Sequence, residues 1–238
     1  MVRFIGSVLG GIFAWLTTAL FAGAIVAAVV LGLYGRDLPS SDSLRNYEPP
    51  VISRIYSGEG RILGEVQDPD GDRRLYAPIE DIPALVRNAF ISAEDKNFYE
   101  HSGFDARAIA SALRDFVVSR GEVVRGGSGI TQQVVKIFLT GGGRTIERKL
   151  EELLLSIQVE TVMSKDDILE IYLNEIYLGQ QAAGVVAAAQ AYFNKSLDEL
   201  TIAEAAFLAI LPRRPSGLHP VNNRDRVITA RDNVLREM

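Results

Sequence analysis

An uncharged apolar run occupies the start of the chain, from Phe4 to Gly35. It exceeds the roughly 20 residues that an α-helix needs to cross a bilayer, whereas cleavable signal peptides have apolar cores of only about 7–15 residues. The run therefore predicts an uncleaved transmembrane anchor, with a buried core helix as the alternative. Arg3 and the terminal amine precede the run and Arg36-Asp37 follow it, a bias that favours the N-terminus inside and the remaining chain outside.

Composition limits what can follow this anchor. The chain has 238 residues, of which 47% are hydrophobic, and this suffices for one substantial domain with an accessory segment. A net charge of −5 offers no general attraction for nucleic acid. The absence of cysteine excludes disulfides and thiol nucleophiles, and the presence of only two histidines argues against a multi-histidine zinc site.

Residues 37–80 are expected to form a linker and a membrane-proximal β-hairpin. Residues 51–57 and 61–66 have strand-like patterns and flank a turn that contains Gly58 and Gly60. The helical patterns begin after this hairpin. We therefore expect a cytoplasmic stub and anchor at 1–36 and a globular domain at 81–238.

The first helical pattern of this domain ends in a carboxylate, Glu94. Pro83 suits a first helical turn, and apolar residues recur behind it at spacings of three and four. The apolar residues are Leu85, Val86, Ala89, Phe90 and Ala93. A carboxylate beside apolar surface is poorly solvated and accepts a proton more readily, so Glu94 is a candidate general base. The alternative is a solvated helix end.

A glycine-rich turn and a basic helix predict an anion site. Gly126 and Gly127 allow close backbone approach to a ligand, and Ser128 with the following helix start offers hydrogen-bond donors.

The basic helix follows further along the chain. Arg148 and Glu152 are four residues apart and share a helix face, an arrangement that in isolation predicts only a surface ion pair. The apolar stripe of that helix is predicted at Ile146, Leu150, Leu153 and Ile157. The cations that suit a diphosphate here are Lys136, Arg144, Arg148 and Lys149.

These segments resemble, in order, the signatures of the peptidoglycan glycosyltransferases of family 51, which are found in class A penicillin-binding proteins. The matching residues are Glu94, Asp95, Phe98, His101 and Gly103; Ser128, Gln132, Gln133 and Lys136; Arg148, Lys149 and Glu152; Leu173, Asn174, Tyr177 and Gly179; and the segment from Leu211 to Gly217. The chain departs from the pattern at Gly129, where the family usually has threonine, a difference expected to affect substrate positioning. Asn194 replaces a glycine and fits if the site is left-handed.

The resemblance implies a mainly α fold. It predicts a lysozyme-like glycosyltransferase domain with a small membrane-leaning lobe, preceded by one transmembrane helix and a short β-hairpin. It also implies a single-pass protein of the cytoplasmic (inner) membrane, with the catalytic domain on the periplasmic or extracellular face.

The resemblance further implies the polymerisation of lipid II into glycan strands, with inversion and release of undecaprenyl diphosphate. Glu94 and Glu152 are then the catalytic carboxylates. The residues assigned to substrate binding are Asp95, Phe98, His101, Gly103, Ser128, Gln132, Gln133, Lys136, Arg144, Arg148, Lys149, Asn174 and Tyr177. No protein-held metal is assigned, although a divalent cation, Mg²⁺ or Mn²⁺, is an open expectation near Glu152 and the diphosphate.

The expected partners are lipid II, the growing glycan strand, membrane lipid and other proteins of cell wall synthesis, with no nucleic acid.

Two alternative functions remain open, a lysozyme-like lytic enzyme and a non-catalytic membrane-anchored scaffold. No Ser-x-x-Lys transpeptidase pattern follows Gly217. The chain is therefore expected to be either the N-terminal part of a class A protein or a monofunctional relative.

Overall fold

The computed structural model describes residues 53–59, 61–66, 73–119, 128–140, 145–213 and 223–238, with scattered positions before residue 53. The predicted anchor from Phe4 to Gly35 therefore lies mostly outside the described residues. Within the described part of the chain, no helix is both long enough and apolar enough to span a membrane.

The part of the chain that the structure describes contains two small two-stranded sheets. Strands β1 (Ser53–Tyr56) and β2 (Ile62–Val66) pair antiparallel, with Ser53 opposite Val66, which confirms the predicted hairpin. Strand β3 (Arg73–Arg74) pairs in parallel with β4 (Ala182–Ala183), which lies much later in the chain. This second pairing joins the segment before the first domain helix to the middle of the helical domain.

The domain itself is mainly α, as predicted. Its helices are α1 (Ala84–Glu94), α2 (Ala106–Val118), α3 (Ile130–Val135), α4 (Ile146–Val162), α5 (Lys165–Glu175), α6 (Val185–Phe193), α7 (Ile202–Ile210) and α8 (Arg224–Glu237). A π-helical turn at Lys136–Thr140 continues α3, and short 3₁₀ turns lie at Ile79–Asp81, Leu197–Glu199 and Leu211–Arg213. The likeness to lysozyme stays a prediction.

Local sequence signals set several helix ends. Ser164 and Asp167 form a reciprocal capping box at the start of α5, and Thr201 and Glu204 form another at α7. Asn194 ends α6 with φ 53° and ψ 44°. This left-handed conformation confirms the condition under which asparagine was expected to replace glycine.

The core holds the helix that carries Glu94. The buried face of α1 consists of Val86, Ala89, Phe90 and Ala93, whereas Leu85, the fifth residue of the predicted stripe, is only partly buried. It packs against α7, a helix of small and apolar residues that are buried from Ala205 onward, and α8 packs against both. Burial on this scale fixes α1, so Glu94 stands on a rigid element.

The buried face of α4 differs from the predicted stripe. Leu150 and Leu153 are only partly buried and Ile157 is 37% exposed, whereas the buried positions are Glu152, Leu155, Ser156 and Val159. The helix packs against α3 with a face that includes two polar side chains. Apolar periodicity alone therefore selected the wrong face, since polar groups that find hydrogen-bond partners can also be buried.

Candidate active site

A cleft of about 410 Å³ contains Glu94. Its walls come from the end of α1, the turn that follows, the first turns of α2 and the Ser128–Gly129 segment before α3. The polar residues that line it are Ser92, Glu94, Asp95, Lys96, Asn97, Asp105, Arg107, Ser111 and Ser128. The first signature and the glycine-rich segment, separate in sequence, therefore meet at one concave site.

Glu94 is oriented by a residue of α3. It is the last residue of α1 and is half-buried, and the Gln133 side-chain amide donates to its Oε2 at 2.9 Å. A neutral amide donor fixes the carboxylate without adding a positive charge, so the carboxylate can still accept a proton from a ligand. The structure thus brings together Glu94 and Gln133, two residues that the sequence placed at the site.

Asp95 and His101 form a buried pair beside Glu94. The His101 Nε2 lies 3.0 Å from both carboxylate oxygens of Asp95, whose Oδ2 also accepts from the backbone N–H of Ile130 at 3.1 Å. Their side chains are 4% and 9% exposed for Asp95 and His101 respectively. The pair ties the end of α1 to the start of α3, and substrate contact by either side chain stays a prediction.

Phe98 and Gly103 lie in the packing behind the cleft. Phe98 is fully buried, and the Lys165 Nζ lies 4.4 Å from its ring centroid. Gly103 has φ +91° and approaches the α4 backbone so closely that a Cβ there would lie 2.7 Å from the Ile157 nitrogen. Neither residue lines the cleft, and substrate contact by either one stays a prediction.

Lys149 is hydrogen-bonded to three other residues of the predicted anion site. Its Nζ donates to Glu152 Oε2 at 2.8 Å and to Ser128 Oγ at 2.6 Å, with a longer bond to Gln132 Oε1 at 3.4 Å. The Lys149 side chain is 49% exposed, whereas that of Glu152 is 6% exposed. A half-exposed ammonium therefore stands beside Ser128, which also lines the Glu94 cleft.

The other predicted cations are less closely placed. Lys136 is exposed on the π-helical turn, and Arg148 lies half-buried on α4 next to Lys149. Arg144 lies outside the described residues. The structure thus joins Lys149, Ser128, Gln132 and Glu152 into one group, while ligand binding by Lys136, Arg144 and Arg148 stays a prediction.

The described residues do not form a protein-held metal site. No group of three or more His, Cys, Asp or Glu side chains in the described ranges has a suitable arrangement for a metal ion. Glu152 offers a single carboxylate, and the Lys149 ammonium already occupies one of its oxygens. A divalent ion that arrives with a diphosphate stays a prediction.

Asn174 and Tyr177 are placed differently from each other. The Asn174 amide is buried, accepts from the Ala77 N–H at 2.9 Å and donates to the Ala77 and Glu170 carbonyls at 2.8 Å. It fastens α5 to the segment before α1, so its position supports a structural role rather than the predicted substrate contact. Tyr177 is 43% exposed just after α5.

The cleft also contains a cation that sequence reasoning missed. Arg107 lines it from the first turn of α2, one helical turn before Ser111 on the same face. Asp105 caps this helix by accepting from the Arg107 N–H at 2.8 Å, and the Asn97 amide that donates to Asp105 holds the pKa of that carboxyl below its ordinary value. The capping Asp105 was the available signal, because it fixes Arg107 in a first turn beside the signature.

A second missed feature braces α3 from behind. The Thr131 hydroxyl donates to Glu160 Oε1 at 2.5 Å, and the same oxygen accepts from Lys165 Nζ at 2.7 Å. These three residues belong to α3, α4 and α5. The helices α3, α4 and α5 are therefore joined by polar bonds between residues that do not line the cleft.

The chain is similar to proteins of a known family. A model of the transglycosylase family matches residues 59–238. Penicillin-binding protein 1A of Rickettsia felis is 44% identical over 223 residues, which cover 92% of this chain and 28% of that protein. Penicillin-binding protein 1A of Neisseria gonorrhoeae is 45% identical over 218 residues, which cover 92% of this chain and 27% of that protein.

A crystal structure of penicillin-binding protein 1A from Haemophilus influenzae also matches. It is 27% identical, with a TM-score of 0.41, over 81% of this chain and 18% of that one. The chain thus spans less than a third of the length of the relatives that it matches.

Proposed function

Because the chain belongs to the transglycosylase family, as the glycosyltransferase domains of class A penicillin-binding proteins do, we propose that it is a peptidoglycan glycosyltransferase. Its substrates are lipid II and the growing glycan strand, and its product serves bacterial cell wall synthesis. The observation that carries this proposal is the placement of Glu94 in a cleft whose Ser128 wall is bonded to the Lys149 ammonium. A base in the cleft and a cation bonded to the Ser128 wall of that cleft match a transfer that removes a proton and releases a diphosphate.

The reaction assigns different roles to the two sides of the site. Glu94 takes the proton from the 4-hydroxyl of the acceptor sugar, whose oxygen bonds to C1 of the donor as the bond from C1 to the diphosphate oxygen breaks. The attack comes from the face opposite the leaving group, so the configuration at C1 inverts. Undecaprenyl diphosphate departs with the negative charge, which Lys149 stabilises with help from Lys136, Arg144 and Arg148.

Glu152 is assigned a supporting role. Its buried carboxylate holds Lys149 by a bond of 2.8 Å between Lys149 Nζ and Glu152 Oε2. A fixed ammonium stabilises a developing charge better than a mobile one, because less reorganisation is needed during the reaction. This assignment keeps Glu152 essential to activity without making it a proton carrier.

We place the cleft on the outer face of the cytoplasmic membrane, where the anchored lipid tail of the substrate lies. The uncharged run from Phe4 to Gly35 supports a single-pass protein with its N-terminus inside. Membrane lipid and other cell wall synthesis proteins are the expected neighbours.

The direct test is incubation of the detergent-solubilised chain with labelled lipid II, followed by separation of the products by length. The proposed function requires long glycan strands together with free undecaprenyl diphosphate. Shortening of preformed glycan without use of lipid II would instead establish the lytic alternative. A folded chain that does neither would favour the scaffold.

Replacing Lys149 with methionine is expected to lower kcat for polymerisation by about ten- to a hundredfold, because it removes one charge that meets the leaving group. Inhibition by added undecaprenyl diphosphate should weaken in parallel. Lys149→Arg keeps the charge and is the matched control, which should retain more activity than the methionine variant. Equal inhibition of Lys149→Met and the parent by the diphosphate would contradict the assignment.

Replacing Arg107 with alanine is expected to raise KM for lipid II by about three- to fivefold and to leave kcat nearly unchanged. Arg107 lies in the cleft but is exposed, so its charge contributes up to about 1 kcal/mol to binding of an anionic substrate. Arg114→Ala, on the same helix and bonded to Asp115, is the matched control and should leave KM unchanged. Equal effects of the two substitutions would contradict a specific role for Arg107.

A further inference from the structure

We infer that this chain requires glycine at position 129 because the Asp95 carboxylate fills the space of a side chain there, and that Asp95 is the positioning residue of the Glu94 site. The Asp95 carboxylate thereby sets the position of α3 relative to α1. The kinetic consequence of this role rests on the proposed function, and its structural consequence rests on geometry alone.

The requirement for glycine at 129 comes from a lack of space for a side chain and not from the backbone conformation. Gly129 has φ −75° and ψ 178°, an extended conformation that any residue adopts. A Cβ at this position would lie 2.2 Å from Asp95 Oδ2 and 3.1 Å from its Cγ. Real Cβ atoms essentially never approach a heavy atom closer than 3.0 Å, so a side chain at 129 requires either the Asp95 carboxylate or the backbone at 129 to shift.

Asp95 has no inexpensive way to move. Its carboxylate is buried, faces His101 Nε2 with both oxygens and accepts from the Ile130 N–H. The other ring nitrogen of His101 is buried and has no hydrogen-bond partner among the described residues, so the imidazole depends on Asp95. Displacing the carboxylate would leave a buried charge, a ring and an amide without their partners, which is strongly unfavourable.

The contacts of Asp95 are connected to the catalytic carboxylate of Glu94 through the chain and through α3. Asp95 directly follows Glu94, and Ile130 begins α3, whose next turn carries Gln133. Gln133 donates its backbone N–H to the Gly129 carbonyl at 3.1 Å and its side-chain amide to Glu94 at 2.9 Å. The end of α1 and the start of α3 are thus bonded at Asp95 and again at Glu94, so a shift at the first contact misplaces the second.

This arrangement reverses the expectation raised by the sequence. The signature that the segment resembles has threonine at position 129, and its absence was expected to weaken substrate positioning. In this chain, the Asp95 carboxylate occupies the space that a threonine side chain at 129 would need. Restoring threonine is therefore expected to damage the site.

The kinetic test compares the parent with Gly129→Ala and Gly129→Thr in the lipid II assay, using the full chain in detergent. We expect kcat to fall by about ten- to a hundredfold with KM within twofold of the parent, since a misplaced base slows the chemical step. Gly58→Ala is the matched control, because a Cβ at Gly58 meets nothing within 4 Å. A parent-like kcat in both Gly129 variants would overturn the inference.

A double-mutant cycle separates positioning from general damage. In an Asp95→Ala background the obstructing carboxylate is absent, so adding Gly129→Ala should lower kcat by less than threefold. An equal loss in both backgrounds would overturn the link to Asp95. If Gly129→Ala alone does not fold, the double variant should fold as well as Asp95→Ala, and its failure to do so would likewise overturn the link.

Hydrogen exchange provides a readout that does not depend on polymerisation. The Ile130 amide should exchange at least tenfold faster in Gly129→Ala than in the parent, because it loses the Asp95 acceptor, whereas Gly58→Ala should leave it protected. Unchanged Ile130 exchange in Gly129→Ala would overturn the inference. A parent chain that makes no polymer would refute the proposed function, and the exchange result would still decide the positioning role.

Discussion

Glu94→Gln is expected to lower kcat for glycan polymerisation by roughly 10²–10⁴-fold, the range that general bases contribute. Glutamine keeps the shape of the side chain and can still bond to Gln133, which lies 2.9 Å from Glu94 Oε2 in the parent. It cannot take a proton from the acceptor hydroxyl at neutral pH. KM for lipid II should therefore change little while the chemical step slows, which steady-state assays with labelled lipid II would measure.

The matched control for this substitution is Glu100→Gln. Glu100 is an exposed carboxylate in the turn after α1 and does not line the cleft, so the same chemical change there should leave kcat and the unfolding temperature unchanged. A parent-like rate in Glu94→Gln would refute Glu94 as the base and turn attention to Glu152. Equal losses in both variants would indicate a nonspecific effect of the removed charge.

Gly103→Ala is expected to lower the free energy of unfolding by about 2–5 kcal/mol. About 1–2 kcal/mol comes from placing an L-side chain at φ +91°, and about 1–3 kcal/mol comes from pushing a methyl group into a packed contact. The new Cβ would lie 2.7 Å from the Ile157 nitrogen and 2.8 Å from its Cα, and a helix backbone cannot rotate away as a side chain can. Denaturant unfolding followed by circular dichroism would measure the loss.

Activity should fall with stability in this variant, because α4 also carries Lys149 and Glu152. Gly58→Ala is again the control and should shift the unfolding midpoint little, since its new methyl group meets open space. An unchanged midpoint in Gly103→Ala would mean that α4 does not approach Gly103 as closely as described. It would also reopen the sequence-based assignment of Gly103 to substrate binding.

Part of the site could be predicted because its signals are local. The stripe that buries Val86, Ala89, Phe90 and Ala93 follows from helical periodicity, and it places Glu94 at the end of a core helix. The sequence pattern paired Glu152 with Arg148, four positions away, whereas the structure pairs it with Lys149, three positions away. Periodicity therefore located the ion pair on α4 but not the cation that forms it. The capping boxes at Ser164 and Thr201 belong to the same class of signal.

Residue type alone did not indicate which of the assigned residues line the cleft. Phe98 and Asn174 carry the resemblance as strongly as Glu94 does, yet both are buried, and the amide of Asn174 is bonded to backbone groups. Arg107 has no place in the resemblance and lies in the cleft. A matching residue can be retained for packing or for chemistry, and its type alone does not separate the two.

The sequence by itself determined the helices, the candidate base and the cations, since each depends on residues a few positions apart. Only the tertiary structure decided which face of α4 is buried, with Glu152 and Ser156 inside, and how closely α1 and α3 approach each other. The bond from Ile130 to Asp95 spans 35 positions and that from Lys149 to Ser128 spans 21. Such contacts are set by the packing of whole helices, which is why the space at Gly129 became visible only when the helices were assembled.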